Sequence, residues 1–206
     1  MPALALLAAA AAIAGAAVAV STSDARLAVA GTWAALLVAP FVTDPLPPPL
    51  GWAVRVVASG VAGYLLWAAV RGAAPLLAPP RLGGQGEAAF VIAGGLVGLL
   101  ADGVTSEALG PTAALAAGLS LLVAGGDLLA FADDGLRLGC GALLALTGAS
   151  LVLTELGGTP AAGLEAAIAV ATLAFAGTAA WLTVSTLGAR GELRLGARHG
   201  DLRDIA

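Results

Sequence analysis

The sequence predicts an all-α fold, a polytopic transmembrane helical bundle of about seven helices, and three observations predict it. The chain is 60% hydrophobic and only 11% charged, where an ordinary soluble domain is about 25% charged. Ala, Leu, Gly and Val fill run after run of about 15–20 residues, the length that spans a bilayer. The arginines fall in alternate breaks between those runs. A mean hydropathy of +0.99 leaves too little polar surface to coat a water-soluble fold, so the lipid bilayer is the solvent.

Seven apolar runs separated by polar breaks define the candidate helices: Pro2–Val20, Leu27–Val42, Gly51–Val70, Ala88–Ala101, Pro111–Phe131, Leu138–Leu156 and Ala161–Leu187. The first is read as a retained helix and not a cleaved signal. It has no Lys or Arg before Arg26, and its apolar stretch outruns the roughly 7–15 residues of a signal core. The fourth run is the weakest, because 14 residues fall short of a full span. The breaks carry turn chemistry: Asp44-Pro45-Leu46-Pro47-Pro48-Pro49, Ala78-Pro79-Pro80, Asp133-Asp134-Gly135 and Gly157-Gly158-Thr159-Pro160. The expected organisation is one transmembrane domain over 1–187 and a polar cytoplasmic tail over 188–206.

Lys and Arg are retained on the cytoplasmic side during insertion, so the arginines test the topology independently. Arg26, Arg71, Arg81 and Arg137 occupy the first, third and fifth loops, and Arg190, Arg194, Arg198 and Arg203 follow the seventh helix. The loops at Asp44, Asp102/Glu107 and Glu155 hold none. The expected orientation puts the N-terminus outside and the C-terminus in the cytoplasm of a bacterial inner membrane. The absence of Lys and the Ala/Gly/Arg bias point to a GC-rich bacterial genome.

Helices one to three and five to seven share a plan: helix, cytoplasmic turn with an acid before an Arg, helix, Pro-bearing outer loop, helix, Arg. Asp24/Arg26 correspond to Asp133/Arg137, Pro45–Pro49 to Pro160, and Arg71 to Arg190. Three helices invert the chain and the fourth restores its direction. The pattern therefore points to a parallel 3+1+3 repeat, over 2–71 and 111–190 with helix 88–101 as linker, and not to the inverted kind. Any seven-helix chain obeying the positive-inside rule shows part of it. Close approach of helices in lipid relies on small residues. Gly94-xxx-Gly98, Gly60-xx-Gly63 and the Gly139/Gly141/Gly148 face supply them, and helices four and six are expected inside the bundle.

Ionisable groups within spans are functional candidates by default. Four qualify: Arg55, Asp127, Glu155 and Glu165. Asp127 lies a turn from the cytoplasmic end of helix five, where headgroups and Arg137 can satisfy it. Glu155 borders an outer loop. Arg55 and Glu165 are counterparts under the repeat with opposite charges. Both are long enough to snorkel outward, which is the expectation; a cross-repeat ion pair is the alternative.

No catalytic, cofactor-binding or metal-ligating set is expected. Cys140 and His199 are the only cysteine and histidine, so neither a thiolate metal site nor bis-histidine haem ligation can form within one chain. H-E-x-x-H, P-loop and G-x-S-x-G motifs are missing. Asp133-Asp134 reads as a solvated turn. A net charge of −4 excludes a nucleic-acid footprint. The middles of helices two, three, six and seven hold no ionisable group, so this chain alone is a poor pump. Trp33, Trp52, Trp67, Trp181 and Tyr64 fit interfacial or packing aromatics.

The stretch Leu119–Ala206, with LLVAGGDLLAFADDGLRLGCGALLALTGASLVLTELGG, LEAAIAVATLAFAGTAAWLTVSTLGARG and a polar tail, resembles the three-helix K subunit of respiratory complex I. The whole plan resembles component E of the hydrogenase-4 type, and GVAGYLLWAAVRGAAP is similar to that component's third helix and following loop. The resemblance covers about half the chain, on motifs that are mainly Leu, Ala and Gly. It implies a membrane-arm subunit whose partners are antiporter-like integral membrane subunits. One departure is plain: the membrane-embedded glutamates of the K subunit's second and third helices fall at Leu144–Leu146 and Gly177. The expectation is thus a non-catalytic subunit of a complex I-like or hydrogenase-like proton-translocating complex. The alternative is a stand-alone small-molecule transporter with a midplane pocket lined by Ser59, Thr147, Ser150 or Thr172. An enzyme acting on lipid would need several facing acids around Asp133 and Asp134.

Overall fold

A computed structural model of the chain describes residues 2–43, 48–71, 77, 82–101, 112–157 and 162–190. These residues form seven α-helices: α1 Pro2–Ser21, α2 Ala25–Val38, α3 Pro49–Val70, α4 Gly84–Ala101, α5 Thr112–Phe131, α6 Gly135–Gly157 and α7 Ala162–Arg190. Six are long and apolar enough to cross a membrane, and Ala25–Phe41 is a shorter apolar segment. The chain is an integral membrane protein with an all-α helical bundle. The prolines Pro45, Pro47, Pro79, Pro80 and Pro160, the acids Asp44, Asp102 and Glu107, Arg81, and the tail from 191 onward lie outside the described residues.

The weak helix is α2, not α4. Asp24 starts α2, its carboxylate accepting the Arg26 N–H at 2.8 Å as N-cap residues do. Pro40 cannot donate a backbone hydrogen bond, and the last turn tightens to a 3-10 turn over Ala39–Phe41. On α4 the polar residues Gln85 and Glu87, which interrupt the apolar run, are inside the helix. Gly83, at φ 77°, makes the left-handed turn that leads into it, a conformation glycine adopts without steric cost.

The helices stack in two layers. Along the chain α1 packs on α2 and α2 on α3, α5 packs on α6 and α6 on α7. Across the layers α1 meets α5, α2 meets α6 and α3 meets α7. Helix α4 covers the α1/α5 edge. Its Gly84 end lies at the Ser21 carbonyl, while Gly98 lies on Ala116 and Leu115, so α4 is antiparallel to both and α1 and α5 run the same way.

Glycines set the closest approaches, as expected where helices associate in lipid without a hydrophobic drive between them. A Cβ on Gly15 would come within 2.6 Å of the Gly31 carbonyl oxygen, and one on Gly125 within 2.7 Å of that of Gly141. Trp33 lies across Gly63, where any side chain would overlap its ring, so this tryptophan packs α2 on α3. Trp67 and Trp181 face outward.

The fourth helix is not interior. Only 22% of its spanning window is buried, against 61% for α6, and Phe90, Ile92, Leu96, Val97 and Leu100 are exposed. Its Gly94, Gly95 and Gly98 edge alone is pressed against α5 and α1. The core runs instead through Leu36, Leu66, Leu121, Leu143, Leu144 and Leu151, all fully buried.

Candidate functional site

Arg55 lies in the second turn of α3 and Glu165 in the first turn of α7. Neither reaches outward: they are 5% and 2% exposed. The expectation of snorkelling fails because the faces carrying them are the faces on which α3 and α7 pack. Arg55 Nε stands 3.3 Å from Glu165 Oε2, an ion-pair contact without hydrogen-bond alignment. Arg55 Nη2 donates to the hydroxyl of Ser150 on α6. Ser150 in turn donates to the Thr147 carbonyl at 2.8 Å, and Thr147 donates to the Leu143 carbonyl at 2.8 Å.

Three helices therefore converge on one guanidinium. Among the described residues, Arg55 Nη1 and Glu165 Oε1 are buried without a hydrogen-bond partner. Beside them is a cavity of about 10 Å³ where α2, α3, α6 and α7 meet, bordered by Arg55, Ser59, Thr147 and Thr172 with Leu36 and Pro40. That is the room one water molecule needs. Two desolvated charges in contact are close to break-even in stability, but removing one leaves the other stranded at a large cost. The arrangement is well suited to holding three helices in one register. Its hydroxyls at Ser150 and Thr147 donate to helix carbonyls, and its carboxylate, Glu165, is paired with Arg55.

Of the other two intramembrane candidates, Asp127 is half-buried, with Arg137 acting on its charge, and Glu155 is half-buried near the end of α6. Neither joins the Arg55 cluster. Sequence reasoning placed Ser150 only as a pocket-lining residue and missed it as the partner of Arg55. Its signal was the one-face spacing of Thr147, Ser150 and Thr154.

A second polar cluster closes the opposite end of the bundle. Arg26 Nη2 donates to the Arg71 carbonyl at 3.1 Å, and Arg137 Nη2 to the Thr22 carbonyl at 2.9 Å. The Leu77 N–H donates to the Ser23 carbonyl at 2.8 Å. Asp134 is not the solvated turn expected of it: it is 2% exposed. Its carboxylate accepts the Arg137 N–H at 2.7 Å, which caps α6. Burial pushes this carboxyl above the usual aspartate range, against the lowering effect of the Arg137 hydrogen bond and charge. Among the described residues no group of three His, Cys, Asp or Glu could hold a metal ion.

On the lipid side of the α3–α7 seam is a separate groove of about 390 Å³, walled by Val54, Val57, Val61, Val170 and Leu173. No protein-family model, no curated protein and no solved structure matches the chain.

Proposed function

We propose that the chain is a non-catalytic integral membrane subunit of a multisubunit proton-translocating complex of the complex I, membrane-bound hydrogenase or antiporter kind. In this reading it lies in the bacterial cytoplasmic membrane with its N-terminus outside and its C-terminus in the cytoplasm. One observation carries the reading: the deep charges of Arg55 and Glu165 are paired with each other, and the space beside them is about 10 Å³, too small for a solute. The resemblance of the 119–206 half to the K subunit supports the class of complex. Leu144, Leu146 and Gly177 in place of its glutamates support a bracing role over a proton-carrying one. Purification of the tagged protein in mild detergent tests it. Co-elution with antiporter-like subunits is the expected result, and a lone monomer or homo-oligomer overturns it.

A second reading, a small-molecule transporter, is favoured by one specific observation. Ser59, Thr147 and Thr172 border the same cavity as Arg55, at the seam between the two layers, where transporters with repeats place their sites. Labelling of Thr147→Cys in a Cys140→Ser background by a membrane-impermeant thiol reagent decides between them. Water access to residue 147 favours the transporter, and protection favours the subunit.

A further inference from the structure

We infer that α1–α3 and α5–α7 are two copies of one three-helix unit in a single register of 110 residues, and that Arg55 and Glu165, the same position in each copy, form the contact that makes the first copy accept the second and not itself. The inference stands apart from the choice between subunit and transporter.

The register is read from several independent features. Helix α1 runs Pro2–Ser21 and α5 runs Thr112–Phe131; α2 opens at Ala25 and α6 at Gly135. The differences 112 less 2, 131 less 21 and 135 less 25 are each 110. Asp24 and Asp134, which also differ by 110, both hold the first backbone N–H groups of the following helix. The tightest α1–α2 crossing is Gly15 on Gly31, and the same shift turns it into Gly125 on Gly141, a closest crossing of α5 on α6. On α3 the residues Arg55, Ser59, Ala62 and Leu66 are buried, and on α7 their counterparts Glu165, Ala169, Thr172 and Ala176 are buried. This register makes Asp134, not Asp133, the partner of Asp24, and it sets Arg26 against Leu136 and Arg71 against Trp181, so the arginines correspond between copies in their side of the membrane and not residue by residue.

Like helix packs on like helix across the layers, and at the α3–α7 seam the two counterpart residues touch. A unit meeting a copy of itself there would put Arg on Arg, or Glu on Glu, in a site that is 5% exposed or less. Like charges in so dry a place repel strongly, whereas unlike ones offset part of their desolvation. Joining two copies in one chain lets the position differ between them. The hydroxyl that meets the pair, Ser150, belongs to the second copy, where the first has Pro40, so the two ends of the pair are not equally supported.

Charge reversal in the full-length chain tests this, read as folded monomer yield in detergent and as midpoint of thermal unfolding. Arg55→Glu and Glu165→Arg singly are expected to lower yield at least about fivefold, as stranding buried like charges does. The double variant Arg55→Glu/Glu165→Arg is expected to recover at least about half of wild-type yield. In the reversed protein, Ser150→Ala is expected to shift the midpoint less than it does in the wild type, because the hydroxyl no longer meets an arginine. A double variant no better than the worse single, or an equal Ser150→Ala shift in both backgrounds, overturns the inference. Should neither single variant accumulate, the double variant and the Ser150→Ala comparison still decide it.

Discussion

The two ends of the bundle both bury charged side chains, but they do so in different chemical settings. At the Arg137 end, the buried Asp134 and Arg137 and the exposed Asp24 and Arg26 sit beside helix termini, where backbone N–H and carbonyl groups lack intrahelical partners. Each charge there has a backbone partner within 3.1 Å. At the Arg55 end, the charges lie inside helices whose backbone is already satisfied, so only side chains can answer them. Glu165 and Ser150 do, and Arg55 Nη1 remains without a hydrogen-bond partner among the described residues. Terminal charges can thus be changed at modest cost, whereas those within a span are held by each other.

The largest effect that follows is at Arg55. Replacement by Leu leaves Glu165 buried and unanswered and should lower stability by about 3–5 kcal/mol, the range for breaking a buried pair. Replacing both residues by apolar ones should cost much less. Unfolding in mixed micelles, followed by Trp fluorescence, measures both, and equal losses would mean the pair has no coupling. Next, Ser150→Ala removes a charge-assisted hydrogen bond and should cost about 1.5–3 kcal/mol by the same measurement. Gly98→Ala is expected to cost about 1–3 kcal/mol as overpacking, because a Cβ there meets the Ala116 backbone. An unchanged midpoint would mean α4 is not seated on α5.

The smallest effect is at the opposite end. Asp134→Ala should cost about 1–2 kcal/mol through the lost cap, well below the loss at Arg55, because Arg137 keeps its hydrogen bond to the Thr22 carbonyl. The pH dependence has a definite sign. The folded carboxyl of Asp134 is raised by burial, so the folded state holds its proton more tightly than the unfolded chain does. The burial penalty is full above the folded value and is relieved as pH falls through it. Wild type should therefore gain stability relative to Asp134→Asn as pH falls through the raised folded value, and a loss relative to that variant on acidification would contradict the raised value.

Much of the fold was legible because apolar runs of spanning length can hide only in lipid. Which helices lie inside was not legible from glycine spacing, because lipid and protein interior are equally apolar and a small-residue edge marks one contact without saying how much of the helix is covered. Glycine spacing pointed to both, and only α6 is central. The helix ends went wrong where local chemistry overrode hydropathy: Pro40 shortened α2, and Gln85 and Glu87 were absorbed into α4. At the site, the charges at 55 and 165 were visible in the sequence. Whether they snorkelled or paired depended on the rotation of α3 against α7, which composition does not encode. Ser150 escaped for the same reason.

Six helices are long and apolar enough to span, and the short α2 as a seventh crossing would put the two termini on opposite sides. The most direct test is the sidedness of tags at the two ends of the full-length protein in intact cells. An externally accessible N-terminus and a protected C-terminus are predicted. Both ends on one side would mean an even number of crossings and would contradict the seven-crossing topology.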